Sequence, residues 1–397
     1  MRDLGAVLGM AALTVVVAGC AGQTAAPASA SAVAQTVVQA AHQSAPGAIS
    51  PVHLIRPAAP LRSPQAAGFV VMSPAANSLL QLAIVDASGR VVAKTLIPSA
   101  AEWLTAAGPG SAYWLDAGNV HALAADGSVR TLDAVPSDAQ GLLVAPDGTS
   151  FAYTLSRPLV AGSMTLENSI VVQRFGGTAR TIARRSSDPG HPSSDAPQMW
   201  TYMLLSWTNQ GILFTRDAYG GCGCAPFDME MQAGNAALID PVSGGTTDIT
   251  NDATCPLSGL GPSQTTACFH GGANADALRL ARGGQVSATF AMSGQNAAGG
   301  AVFSPDAARL AYVTEHETSS DGCGGTWAST LHILSLDGSG TSAAAIDHFS
   351  TLRWTTAGLY GSIDGADAWS LVGVDPASMS PHTVWSGPAG SHFIGLA

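Results

Sequence analysis

Val144-Ala145-Pro146-Asp147-Gly148-Thr149-Ser150-Phe151-Ala152-Tyr153 returns later in the chain as Phe303-Ser304-Pro305-Asp306-Ala307-Ala308-Arg309-Leu310-Ala311-Tyr312. In each, a short apolar run enters a Pro-Asp turn and leaves through a second run ending Ala-Tyr. Pro presets φ for the turn, Asp accepts hydrogen bonds from turn amides, and Gly takes a positive φ. These aspartates are therefore expected to hold turns and not to do chemistry. Two further copies are built on tryptophan: Leu205-Ser206-Trp207-Thr208-Asn209-Gln210-Gly211-Ile212-Leu213-Phe214 and Leu352-Arg353-Trp354-Thr355-Thr356-Ala357-Gly358-Leu359-Tyr360. Such recurrence marks one supersecondary unit stacked or arranged radially.

A second class of turn follows each of these pairs. Ala87-Ser88-Gly89, Asp126-Gly127, Gly176-Gly177, Gly244-Gly245, Gly283-Gly284, Asp337-Gly338 and the stretch Pro376 to Ser380 sit between alternating apolar runs, the signature of β-hairpins. Each unit then holds four strands, a to d. The units fall at 67–98, 101–135, 139–185, 200–250, 258–293, 298–346 and 348–395. Their spacing approaches the roughly 40–50 residues of a four-stranded propeller blade. The expected fold is all-β: a single β-propeller with seven blades favoured. Six is the alternative, because 101–135 and 258–293 match weakly. A sandwich fits less well, since its strands need not recur in quartets.

The Ser304-Pro305-Asp306 turn with Arg309-Leu310-Ala311-Tyr312, and its partner Pro146-Asp147-Gly148 with Phe151-Ala152-Tyr153, resembles the PD40-type repeat of TolB-like and dipeptidyl-peptidase-like β-propellers. Ala307 stands where that repeat usually has Gly, and the earlier copy lacks the Ser and the basic residue. The resemblance spans 67 to 397 and implies the fold. It implies little about activity, although TolB likeness suggests a component of a larger envelope assembly. The peptidase that often accompanies such propellers is missing, for there is no Gly-x-Ser-x-Gly elbow and no α/β-hydrolase segment. The stretch Ser319 to Trp327 is close to a sialidase Asp-box but wrong in length, and no arginine triad accompanies it.

The 397 residues are 46% hydrophobic and 11% charged, with Gly 45 and Pro 23, a composition for a turn-rich β-protein with a large core. Lys94 is the sole lysine and the formal net charge is -11, which repels phosphate backbones and argues against nucleic-acid partners. An apolar stretch from Leu4 to Val17 has the length of a signal-peptide h-region, and Val17-Ala18-Gly19-Cys20 resembles a bacterial lipobox. Residues 1–19 are therefore expected to be a lipoprotein signal, with Cys20 lipidated. The Ala/Ser/Pro/Gln-rich stretch 20–66 is expected to be a flexible tether, because it cannot bury enough apolar area to offset its ordering entropy. The protein would then be extracytoplasmic, on the outer face of the cytoplasmic membrane or in a periplasm.

Five cysteines remain in the head: Cys222, Cys224, Cys255, Cys268 and Cys323. Outside the cytoplasm cysteines pair, so at most two bridges form. Cys255 with Cys268 closes the easiest loop, but connectivity stays open. Cys222-Gly-Cys224 has the wrong spacing for a zinc ribbon. Neither a metal site nor a cofactor is expected.

With four antiparallel strands per blade, a–b and c–d turns share one face and b–c and d–a segments the other. The long segments, 157–168, 186–199, 217–234, 251–264 and 315–329, all belong to the second class. Loops on a rigid scaffold carry function. That face is thus the expected binding surface, with Asp217, Tyr219, Asp228, Glu230, Glu315, His316, Asp321 and Trp327 as its candidate residues. The expected role is an interaction scaffold for a protein, peptide or glycan at the cell envelope. The alternative is a propeller-type lactonase, cyclotransferase or glycosidase with acids converging at the channel mouth. His121 and His332 are expected to be ordinary strand-c residues.

Overall fold

The alternation in the repeated phrase decides how blades stack. In a strand, neighbouring side chains point to opposite faces. Phe151 and Tyr153 pack with Tyr113 and Leu115, whereas Ala152 between them packs with Ile212 and Phe214. The later copy repeats this: Leu310 and Tyr312 join Phe269 and Leu278, while Ala311 meets Phe349 and Leu359. The bulky residues fill the space toward the preceding blade, and the small one lets the following blade approach.

A computed structural model describes residues 68–161, 165–187, 200–218, 236–249, 254–271, 274–294, 296–319 and 326–397, with backbone alone at 217–218, 317, 319, 326–327 and 351. The strands form seven four-stranded antiparallel sheets in a ring, a seven-bladed β-propeller. Blade two comprises 105–108, 111–116, 119–124 and 129–134; blade three, 140–144, 150–158, 166–174 and 179–187. Blade four comprises 200–208, 211–218, 237–239 and 246–248; blade five, 257–260, 265–270, 277–282 and 285–291. Blade six holds 297–303, 309–319, 326–335 and 341–345; blade seven, 349–355, 358–364, 368–374 and 381–388. Strands a of blades one and two, two and three, three and four, five and six, and six and seven contact one another. Seven clusters of buried apolar side chains lie between the blades, one at each junction.

Blade one departs from the expected quartet. Its strands b, c and d are 69–74, 79–85 and 91–98, and its innermost strand is the last of the chain, His392–Leu396. Phe69 pairs with Leu396, and the Ala397 amide donates to the Gly68 carbonyl at 2.9 Å. Assigning four consecutive strands to 67–98 was therefore incorrect; 348–395 does hold the four strands of blade seven, but its last residues begin the strand that completes blade one. A radial sheet stack needs a bond between its first and last blades, and the terminal strand supplies it. The two weakly matching units are both present.

The turns behave as expected. Asp147 accepts from the Thr149 amide and hydroxyl, both at 2.9 Å, and Asp306 accepts from the Ala308 amide at 3.1 Å and the Ser304 hydroxyl at 2.5 Å. These bonds hold both carboxyls below the usual carboxylate range. Gly148 has φ of 69°, but Ala307 occupies the matching position at φ of 56°, where a Cβ is strained. Ala307→Gly should stabilise the fold by about 0.5–1 kcal/mol, the relief of strain less the entropy of a free glycine. Urea unfolding checks this; a destabilised variant would contradict it. Arg309, the basic residue of the motif, lies 5.1 Å from the Trp354 ring centroid, joining blades six and seven by a cation–π contact.

Candidate functional site

Strand polarity sorts every connection onto one of two faces. The a–b and c–d turns are short, and strand b of blade one begins on their face, so the chain enters the propeller there at Gly68. The opposite face carries the b–c and d–a segments.

Several candidates fall in strands instead of loops. Asp217 pairs with Thr201 in strand b of blade four. Glu315 pairs with Ser329, His316 with Ala328, and the backbone of Trp327 with Glu317, all within the long b–c hairpin of blade six. The expectation of a loop over 315–329 is therefore corrected, as the ladder runs to Ser319 and resumes at Thr326. Alternation also separates two candidates. Glu315 follows Ala311 and Val313, which face blade seven, while His316 follows Thr314 and Tyr312 toward blade five. Glu315 is 6% exposed, with the Ser329 hydroxyl donating to Oε1 at 3.4 Å, whereas His316 is exposed. The two do not form an acid–base pair. Tyr219, Asp228, Glu230 and Asp321 lie outside the described residues, as do Cys20, Cys222, Cys224, Cys323 and the segment 1–67.

Cys255 and Cys268 are joined, with Sγ atoms 2.10 Å apart and Cα atoms 5.2 Å apart. The bridge ties the connection entering blade five to its strand b, where Cys268 faces Leu257 across the ladder. The span 251–264 is not one d–a loop as expected. Residues 257–260 form strand a, and 261–264 turn on the opposite face. The bridge closes a sequence separation of 13 residues. Cys255→Ser with Cys268→Ser should cost about 2–3 kcal/mol through the freed unfolded chain. Unchanged urea midpoints would show that the bridge contributes nothing.

His121 and His332 lie in strand c, as expected, and each stacks on an aromatic neighbour of strand b. His121 lies over Trp114 at 5.1 Å, and His332 over Tyr312 at 4.8 Å with Nε2 2.8 Å from the Thr314 hydroxyl. Burial pushes the His332 pKa down. Among the described residues, no three His, Cys, Asp or Glu side chains gather as a metal site. No strand a carries an acid. A cleft of about 270 Å³ lies on the short-turn face of blade seven, between Tyr360, Gly373 and His382. Its carboxylate, Asp375, already accepts from the Ala377 amide and Ser378 hydroxyl and so serves the turn.

The exposed large apolar residues distinguish the two faces. On the short-turn side, Val91, Val129, Val242 and Val286 occur singly, on four separate blades. On the long-segment face, Trp103 is 78% exposed in the 3₁₀ turn Ser99–Leu104 between blades one and two. Leu159 and Val160, 54% and 68% exposed, cap the b–c hairpin of blade three, which the Leu159 amide closes onto the Thr165 carbonyl at 2.9 Å. Sequence reasoning singled out the 157–168 segment but not these two side chains, and it missed Trp103. Nothing in the order of residues tells a solvent-facing tryptophan from a core one.

No protein-family model and no curated protein matches this sequence. Among solved structures, similarity extends to hydrazine synthase from Kuenenia stuttgartiensis at 14% identity, covering 68% of this chain and 75% of that one, with a TM-score of 0.42. A structure assigned to TolB of Agrobacterium tumefaciens shares 14% identity over 83% of this chain and 91% of its own, with a TM-score of 0.35. The acylaminoacyl peptidase of Pyrococcus horikoshii shares 8% over 80% of this chain and 52% of its own, with a TM-score of 0.46. At these values the likeness speaks to neither family nor activity.

Proposed function

We propose that this protein is an extracytoplasmic, lipid-anchored interaction scaffold that binds a protein, peptide or glycan at the cell envelope through its b–c and d–a face. One observation carries the reading: Trp103, 78% exposed, stands on the long-segment face, and Leu159 and Val160 are exposed on the same face at blade three. Tryptophan is among the residues that most often anchor an interface, whereas scattered single valines need no explanation.

The test compares two equally exposed positions. Trp103 and Val242 are both 78% exposed but lie on opposite faces. With a photo-crosslinking residue at each in the full chain, envelope crosslinks should form from position 103 and not from 242. In the chain without a crosslinker, Trp103→Ala should weaken capture of the same partner by about tenfold or more, the scale of an anchor residue. Equal crosslinking from both positions would defeat the proposal. Cys20→Ser should separately abolish lipid labelling and release the protein from membranes.

A further inference from the structure

Alternation brings two arginines to the junction of blades three and four. Asn168 of blade three faces blade four, where its amide nitrogen donates to the Trp200 carbonyl at 2.8 Å. Register sets Arg185 opposite Asn168, so Arg185 faces the same way. In blade four, Tyr202 and Phe214 pack toward blade three, and Arg216 stands opposite Tyr202. The Arg216 guanidinium lies 5.8 Å from the Trp200 ring centroid. Tyr202 meets Trp200 and Phe214 edge to face, with centroids 5.0 and 5.3 Å apart. Both arginines are exposed at the long-segment end of their strands, on a base of buried aromatic rings. Burial pushes the Tyr202 pKa up and both arginines oppose that rise, so the two cations act on one phenol. Among the described residues, neither arginine forms an ion pair. Glu167 faces the other side of the sheet, where it meets Arg184 at 3.6 Å. Asp248 does face the junction, but it lies in the row of Ala237 and Phe214, one row from Arg216, and bonds to neither arginine.

We propose that Arg185 and Arg216 form a binding site for a phosphate dianion, either free or as a monoester group of a small ligand. The inference rests on the reading of the long-segment face as a working surface and names one class of group that it takes. The count of charges and donors selects the ligand. Each guanidinium offers a planar fork of N–H donors that takes two oxygens of one acceptor. A carboxylate has two oxygens and one charge, which a single arginine satisfies. A phosphate monoester has three free oxygens and about two negative charges near pH 7, which match both forks. The formal charge of -11 opposes a long polyanion. Charges further away than about 8 Å are largely screened at physiological salt, so a single phosphoryl group responds chiefly to the two arginines.

The experiment titrates the full chain with inorganic phosphate, glycerol 3-phosphate and acetate by calorimetry. Phosphate should bind, more weakly as salt rises, and acetate about tenfold less tightly or worse. Arg185→Gln and Arg216→Gln should each weaken phosphate by about tenfold or more. Arg184→Gln removes the same charge one residue away, on the other side of the sheet, and should leave binding unchanged. Melting curves of all three variants control for folding. Glycerol 3-phosphate bound as well as phosphate identifies a monoester ligand, and arginine-dependent binding of phosphate alone identifies the free anion. No binding of phosphate, acetate bound equally, or equal losses from Arg184→Gln and Arg185→Gln would overturn the proposal. If position 103 yields no envelope crosslinks while phosphate still requires Arg185 and Arg216, the partner-binding reading of the face falls and this site stands. If crosslinks form and phosphate does not bind, the site falls and that reading stands.

Discussion

Deleting residues 391–397 should leave a protein that no longer unfolds as one cooperative unit. Strand His392–Leu396 is the innermost strand of blade one and pairs with strand 69–74, the first of the propeller. Its loss removes Phe393, which is 7% exposed and packs with Phe69, Val71 and Trp369 at the junction of blades seven and one. It also removes Ala397, buried at the next junction, and bares the inner edge of strand 69–74. Removing a buried phenylalanine side chain alone costs about 3–5 kcal/mol. With the lost ladder, the total rivals the roughly 5–15 kcal/mol by which a domain is stable. Calorimetry should show a broadened transition at much lower temperature, with aggregation through the exposed edge. A sharp transition near that of the full chain would mean the ring closes without this strand.

The second large effect is at Asn168, which is fully buried at the b–c end of blade three. Its amide nitrogen donates to the Trp200 carbonyl at 2.8 Å and the Ser187 hydroxyl at 3.3 Å, and its oxygen accepts from the Ser156 hydroxyl at 2.5 Å. Ser156 in turn lies 2.8 Å from the Thr201 hydroxyl. One side chain thus links strands b, c and d of blade three to strand a of blade four. Asn168→Ala leaves a buried carbonyl and two hydroxyls short of partners, each costing about 1–3 kcal/mol. The expected loss is about 3–5 kcal/mol in urea unfolding. A loss below about 1 kcal/mol would show that water replaces the amide.

Much of this architecture was legible because its causes are local. A Pro-Asp turn with Gly or Ala at a positive φ is set by sterics and side-chain acceptors within a few residues, so the turns at Asp147 and Asp306 could be read directly. Ala152 and Ala311 betray the narrow side of a blade through alternation alone. The same locality explains the failures. Glu315 and His316 read as one polar cluster, but a period of two sends them to opposite sides of the sheet, and no composition argument separates adjacent residues.

The order of residues determined the all-β character, the number and limits of most blades, and which connections share a face, since each follows from hydrogen bonding and packing between neighbours in the chain. Only the tertiary structure decided that the last strand completes the first blade, that Arg309 lies over Trp354, and that Trp103 faces water. Those three depend on ring closure, which brings together segments far apart in sequence and fixes which apolar surfaces are left without a neighbouring blade.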